Sequence, residues 1–126
     1  MASREGGLLA WQWRGYARNH RDRLNLLLHF VAVPMFIAGA LATVVQLAHG
    51  LWISAAIAFA TMAVAFALQG IGHKREAEAP VPFDGPLDFV SRVFVEQFVT
   101  FPRFLLSGDW MRQMARAEDS NRGPHG

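Results

Sequence analysis

The sequence has no cysteine, and its central part has no charge. Without cysteine the chain forms no disulfide bonds and carries out no thiolate chemistry. No Asp, Glu, Lys or Arg occurs between Arg23 and Lys74, which leaves an uncharged run of 50 residues. A soluble domain of 126 residues rarely contains such a run, because each of its helices needs a polar face. The composition therefore indicates a membrane protein and argues against a disordered chain.

The sequence also lacks the short motifs of several enzyme classes. It contains no Gly-x-Ser-x-Gly, P-loop or paired Cys-x-x-Cys motif, and Gly70 and Gly72 lie in an apolar segment rather than between a strand and a helix. Nucleotide-dependent and serine-hydrolase chemistry are therefore disfavoured. The 12 Lys and Arg residues border the apolar run, which is the pattern of membrane flanks, so we expect no nucleic-acid partner.

Two apolar stretches inside the uncharged run are each long enough to cross a bilayer as a helix. Residues 26–48 would extend about 35 Å and residues 51–71 about 32 Å at the helical rise per residue. Only His49 and Gly50 separate them, so we predict an antiparallel transmembrane hairpin whose outer ends share one side of the membrane. The alternative is a buried helical hairpin inside a soluble oligomer.

The basic residues predict the orientation of this hairpin. The link between the two stretches carries no Lys or Arg, whereas both outer flanks carry several. Cytoplasmic flanks of membrane helices are enriched in these two residues. We therefore predict an integral membrane protein with both termini in the cytoplasm, in the inner membrane of a bacterium or in the endoplasmic reticulum of a eukaryote.

The segment before the hairpin is predicted to be a short helix at the membrane surface. Residues 8–20 include Trp11, Trp13 and Tyr16, whose amphipathic rings suit headgroup depth. The charged residues 21–23 are too polar to bury, so we expect a bend there. Asn25 is the expected N-cap of the helix that follows.

The segment after the hairpin is predicted to contain a loop and then one more helix. Prolines indicate a loop over residues 77–86, and residues 87–106 suit an amphipathic interfacial or re-entrant helix that Pro102 would kink or end. We predict one all-α domain over residues 1–114, followed by a flexible tail over residues 115–126.

Three histidines are predicted to meet at the cytoplasmic end of the hairpin. His29 lies near the start of the first stretch, His73 follows the end of the second, and His20 precedes the bend. Imidazoles combined with a carboxylate suit a transition metal, and such a set with open positions is typical of non-haem iron. The alternative is that each ring only anchors the interface. His49 and His125 are not expected to belong to the site.

Polar residues share helical faces with these histidines. Tyr16 lies four residues before His20, Asn25 four before His29, and Gln69 four before His73. Such groups would orient the imidazole rings. Glu76 follows on the face of Gln69 and His73 and is the candidate carboxylate, with Glu78 as its competitor.

Glu96 is an isolated carboxylate among phenylalanine and valine residues. Pairing with Arg92 or Arg103 is favoured here over a catalytic role, since both arginines lie at helical spacings from it.

These residues form a pattern that resembles a known family. Tyr16-x3-His20-x4-Asn25-x3-His29-x4-Pro34, then Gln69-x2-Gly72-His73 and the carboxylate at Glu76, is similar to the 2-hydroxy fatty acid dioxygenases first characterised in yeast, which have many small bacterial members. The resemblance extends over roughly residues 13–108, and residues 82–108 look like those of a bacterial branch.

The resemblance implies an Fe²⁺-dependent membrane enzyme that uses O₂ to shorten a 2-hydroxy fatty acid by one carbon. It implies that His20, His29 and His73 are the metal ligands. The expected partners are then the hydroxy acid, O₂ and membrane lipid, and a homo-oligomer remains open. Zn²⁺ or another divalent metal is a less favoured cofactor. Two alternatives are another metal-dependent lipid-modifying membrane enzyme and a scaffold or lipid-binding protein without activity.

Overall fold

A computed structural model describes residues 4–122, and in that range the chain forms helices and no strand. The elements are α1 (Gly7–Tyr16), a 3₁₀ turn (Ala17–Asn19), α2 (Arg23–Ala48), α3 (Trp52–His73), α4 (Pro86–Val95), a π-helical segment (Glu96–Thr100), α5 (Phe101–Leu106) and α6 (Asp109–Arg122). The predicted all-α class is confirmed.

Helices α2 and α3 form an antiparallel pair that runs the length of the molecule. Gly39 of α2 lies so close to α3 that a Cβ atom there would be 3.0 Å from the carbonyl oxygen of Ala58. At the other end, Gly72 lies against Asn25. Both helices are long and apolar enough to cross a membrane, and their bounds agree with the two predicted stretches.

The start of α2 differs from the prediction. Asp22 and not Asn25 is the N-cap, and its carboxylate accepts a hydrogen bond of 3.1 Å from the Asn25 backbone N–H. Aspartate is as good a cap as asparagine, and Asn25 is instead fully buried inside the first turn. The predicted bend is confirmed, because the chain leaves helical geometry between the 3₁₀ turn and α2.

The loop and the helix after α3 also agree with the prediction, except at Pro102. Residues 74–85 are not helical, and α4 begins with Pro86 at its first turn. Pro102 neither ends nor breaks the helix, since α5 continues through it. The π-helical segment ends two residues before this proline, which has no N–H for a regular helical bond.

Helix α6 packs against the start of α2 and the 3₁₀ turn before it. The indole N–H of Trp110 donates to the Leu26 carbonyl at 2.9 Å, and Gln113 donates to the Ala17 carbonyl at 2.9 Å. Residues 115–122, expected as part of a flexible tail, are helical here. The remainder of that tail, residues 123–126 with His125, lies outside the described residues.

Apolar side chains form two buried clusters and an exposed surface. Tyr16, Leu26, Val33, Phe101 and Phe104 make up the first cluster. The second lies between α2, α3 and α4 and consists of Ala32, Phe36, Ala40, Ala65 and Val93. Large apolar residues elsewhere on α2 and α3 face outward: Val31, Leu41, Val44, Val45, Trp52, Ile53, Ile57, Phe59 and Val64. A soluble monomer rarely exposes so much apolar surface.

Candidate metal centre

His20 enters the site from the bend between α1 and α2. Its ring is 2% exposed and stacks on Tyr16 with a centroid separation of 3.8 Å. Its Nδ1 lies 2.7 Å from the Tyr16 carbonyl oxygen. Because a carbonyl only accepts hydrogen bonds, Nδ1 carries the ring proton, and the Nε2 lone pair points to the other side.

His29 repeats this arrangement from the second turn of α2. It is fully buried, and its Nδ1 lies 3.0 Å from the Asn25 carbonyl oxygen, one helical turn earlier. Its Nε2 therefore also presents a lone pair. The two Nε2 atoms, from His20 and His29, are 3.4 Å apart.

His73 is the last residue of α3 and completes a group of three rings. Its ring centroid lies 4.7 Å from that of His20 and 4.9 Å from that of His29. Its Nδ1 is buried and has no hydrogen-bond partner among residues 4–122. The antiparallel helix pair and the bend before it thus bring together the three histidines that were predicted from the sequence to meet.

Glu96 is the fourth member of the group, and its expected pairing with arginine is wrong. Its Oε2 lies 3.5 Å from Nε2 of His20 and 3.6 Å from Nε2 of His29, and accepts a 2.8 Å hydrogen bond from the Tyr16 hydroxyl. Arg92 instead pairs with Asp88, and Arg103 stacks over the Trp13 ring. The π-helical segment changes the spacing from Glu96 to Arg103 only, whereas Arg92 lies one regular turn before Glu96 and is engaged by Asp88.

The four side chains fit a divalent metal ion. One ligand atom from each of His20, His29, His73 and Glu96 lies within 4.8 Å of all the others. With bonds of about 2.1 Å, ligand atoms lie about 3.4 Å apart on a tetrahedral ion and about 3.0 Å (adjacent) or about 4.2 Å (opposite) apart on a six-coordinate ion, whose two further positions the four groups would leave open. The separations above lie within this range. Moreover, two Nε2 lone pairs and a carboxylate oxygen face one another with no proton to share, so a cation between them would relieve their repulsion.

The ionisation states around Glu96 are favourable for binding a cation. Burial lowers the pKa of His20 below its ordinary value, which keeps the ring neutral and able to act as a ligand. Burial also raises the pKa of Tyr16 well above its ordinary value, and the Glu96 charge raises it further. The phenol therefore remains protonated and donates its hydrogen to the carboxylate.

Glu76 and Asn25 lie beside the group and connect the elements that carry it. Glu76 accepts hydrogen bonds from the backbone N–H groups of Arg21 and Asp22 and, at 2.7 Å, from the Asn25 amide. It is not one of the four clustered groups. Its contacts instead hold the bend that positions His20, while Glu78 lines the wall of an adjacent cavity.

The Gln69 side chain forms hydrogen bonds with another amide and, among residues 4–122, with no histidine. It forms two reciprocal 2.7 Å hydrogen bonds with Gln97 of the π-helical segment. Gln69 was predicted as a site residue from its spacing to His73, whereas Gln97 was not predicted. The available signal was Gln97 beside Glu96, two polar residues in an otherwise apolar stretch.

A cavity of about 170 Å³ opens onto the group. Tyr16, His20, His73 and Glu96 contribute to its lining, and so do the exposed Arg14 and Arg18 and the buried Arg92. Arg92 is bonded to Asp88 and to the Val81 and Pro82 carbonyls, and Arg14 donates to the Glu5 carbonyl. The Arg18 guanidinium lies over Gly15 and has no such partner among the described residues.

The comparisons with known proteins give one match. A family model described as 2-hydroxy-palmitic acid dioxygenase Mpo1-like matches residues 8–105. No curated protein and no solved structure gives a significant match. The matched residues contain all four groups that could hold a metal ion.

Proposed function

Because the chain belongs to the family described as 2-hydroxy-palmitic acid dioxygenase Mpo1-like, we propose that it is an iron(II)-dependent dioxygenase that shortens 2-hydroxy fatty acids by one carbon. The observation that carries this proposal is the convergence of three imidazoles and one carboxylate on a single centre. Such a donor set suits Fe²⁺ and leaves open positions for two reactants.

His20, His29, His73 and Glu96 are the proposed iron ligands. Bound iron would supply the means to activate O₂ and to polarise the hydroxy acid. The carbonyls of Tyr16 and Asn25 fix the protonation of two rings, and the Tyr16 hydroxyl orients Glu96. The overall reaction balances without a further reductant, since a 2-hydroxy acid and O₂ give the shortened acid, CO₂ and water.

Arg18 is the proposed partner of the substrate carboxylate. Of the three arginines in the cavity wall, it is the one without a hydrogen-bond or ion-pair partner among residues 4–122. Guanidinium groups pair with carboxylates in two parallel hydrogen bonds. The carboxylate and the 2-hydroxyl would then enter the cavity with the acyl chain outside. The cavity volume is below the roughly 300–1,000 Å³ of sites that enclose a whole drug-sized ligand.

The proposed location of the acyl chain is the membrane. We propose that α2 and α3 span the bilayer, with both termini in the cytoplasm as the flanking arginines predict. The cluster lies where α2 begins and α3 ends, so it would face the boundary between lipid and cytosol. A fatty acyl substrate can leave its chain in the hydrocarbon while its polar end reaches the metal.

The test is turnover of a defined substrate by the purified chain. Protein purified without oxygen and supplied with Fe²⁺ is given 2-hydroxypalmitic acid and O₂, and products are identified by mass spectrometry. We expect the C15 acid, dependent on both iron and O₂. His73→Ala should abolish the product, whereas the control His49→Ala, at the distant turn, should retain it.

Two results would replace this proposal. Turnover with Zn²⁺ but not with Fe²⁺, or of other lipids only, would indicate a different metal-dependent lipid enzyme. No metal binding, together with lipid binding that a chelator does not change, would indicate a scaffold.

A further inference from the structure

Two buried amides connect α3 to the segment that carries Glu96. Gln69 and Gln97 are 3% and 0% exposed, and each donates its amide N–H to the other's carbonyl oxygen at 2.7 Å. A buried amide without a partner is costly. The reciprocal pair therefore fixes the π-helical segment against α3 in one register.

Both members of the pair lie next to proposed metal ligands. Gln97 follows Glu96 directly, and Gln69 lies one helical turn before His73. The pair thus links the last turn of α3, which leads to His73, with the residue next to Glu96. Among residues 4–122, neither amide forms a hydrogen bond to His20, His29, His73 or Glu96. Any influence of the pair on metal binding would therefore come from where it places these groups.

A second contact holds the same segment from α1. The Thr100 hydroxyl, at the end of the π-helical segment, is bonded to the Gln12 side chain, and Gln12 donates to the Arg92 carbonyl at 3.0 Å. In the sequence, Glu96 lies between Arg92 and Thr100, the two residues to which Gln12 is bonded. The segment is thereby held on both sides in a helical form that is rare in proteins.

This form determines the direction in which Glu96 points. A π turn contains one residue more than a regular turn, and each residue of a regular helix corresponds to about 100° of rotation. Conversion of the segment to regular helix would therefore change the angle between Glu96 and Phe101 by about that amount. Since Phe101 is packed in the core, the carboxylate would be the group that moves.

We propose that Gln69 and Gln97 are positioning residues, which hold the π-helical segment so that Glu96 meets the three histidines. The inference rests on the proposed function in one respect only, that the four groups bind a metal. It does not depend on which reaction the metal supports.

The experiment measures Co²⁺ affinity and thermal stability of the full chain in detergent, with Co²⁺ as the spectroscopic probe. Gln97→Leu leaves Gln69 without its partner and should lower both quantities. The double variant Gln69→Leu/Gln97→Leu removes both amides, so stability should recover, whereas Co²⁺ affinity should stay at least about 10-fold below the original, as for other groups that orient ligands. Gln46→Leu, on α2, is the matched control and should change neither.

The decisive comparison repeats the double variant in the Glu96→Gln background. If the amides act through Glu96, the double variant should cause no further loss of Co²⁺ affinity there. An equal loss in both backgrounds, or original affinity in a folded double variant, would overturn the proposal. If the double leucine variant does not fold, Gln69→Asn, whose side chain is one methylene shorter, is compared in the original and Glu96→Gln backgrounds in its place.

The outcome is independent of turnover. A chain that binds Co²⁺ through the amide-dependent arrangement but does not shorten 2-hydroxy acids would contradict the proposed function and leave this inference standing.

Discussion

His20 and His29 each bond one ring nitrogen to a backbone carbonyl and turn the other toward Glu96. At the scale of single residues, this arrangement would prepare both rings as ligands of the proposed metal, because each carbonyl favours one tautomer and one ring orientation. Tyr16 contributes twice, through its carbonyl to His20 and through its hydroxyl to Glu96.

Replacement of Arg18 tests how the substrate is held. Arg18→Ala should raise the KM for a 2-hydroxy acid about 10-fold or more and change kcat less, because a carboxylate pair made before reaction contributes to binding. Steady-state kinetics measure both constants. Arg14→Ala, on the same cavity wall but bonded to the Glu5 carbonyl, is the control. An unchanged KM for Arg18→Ala would exclude this contact.

The three histidines were predictable from the sequence, whereas Glu96 was not. An uncharged run with a two-residue link brings His29 and His73 to one end whatever the details of packing. For Glu96 the prediction assumed regular helical spacing, which places arginines four residues before and seven after. Arg92 keeps that spacing but pairs with Asp88 and lies over the Phe83 ring, and Arg103 lies beyond the π-helical segment and over the Trp13 ring. Both arrangements depend on tertiary contacts.

At the scale of elements, the close approach of α2 and α3 determines the distance between His29 and His73. Gly72 permits this approach, since a Cβ atom there would lie 2.2 Å from the Asn25 Oδ1. That oxygen is buried and has no conventional hydrogen-bond partner among residues 4–122. Its closeness to the Gly72 backbone is consistent with a weak Cα–H···O contact.

Two glycines in the same turn of α3 provide a matched test of this approach. Gly72→Ala should destabilise the protein by about 1–3 kcal/mol and weaken metal binding, because Asn25 has to move. Gly70→Ala, where a Cβ atom meets nothing within 4 Å, should be neutral or stabilise by up to about 1 kcal/mol. Thermal unfolding and Co²⁺ titration measure these changes. Equal effects of both substitutions would show that the close contact does not matter.

The elements themselves were largely predictable, and their assembly was less so. Hydropathy gave the bounds of α2 and α3 to within a few residues, and prolines gave the loop before α4. The N-cap was assigned to Asn25 instead of Asp22, because both are good caps three residues apart. Helix α6 lacks long apolar stretches, and its docking depends on single contacts such as the Trp110 bond to Leu26.

At the scale of the whole molecule, the outward apolar surface of α2 and α3 and the polar metal cluster occupy different parts of the structure. Exposed apolar residues extend along α2 and α3 from Val31 and Ile71, near the cluster, to Trp52 and Ile53 at the turn, whereas His20, His29, His73 and Glu96 face one another inside. This arrangement supports the proposed insertion of the helix pair in a membrane. The predicted division into residues 1–114 and a tail remains a prediction.

The absence of cysteine makes the topology easy to test. His49→Cys and Ser120→Cys each introduce one thiol, at the turn and on α6 respectively. When the chain is placed in a bacterial inner membrane, a maleimide that cannot cross that membrane should label His49→Cys in intact cells and Ser120→Cys only after permeabilisation. Labelling of Ser120→Cys in intact cells, whether or not His49→Cys is labelled, would contradict the predicted orientation.

The measurement that tests the account most directly is the metal content of protein purified without oxygen and supplied with Fe²⁺, determined by elemental analysis. We expect about one iron per chain in the unaltered protein and in His49→Ala, and a large loss of iron in His20→Ala, His29→Ala and His73→Ala with the helical circular dichroism retained. Iron retained at full occupancy in all three folded variants, or an unaltered protein that binds no iron, would contradict it.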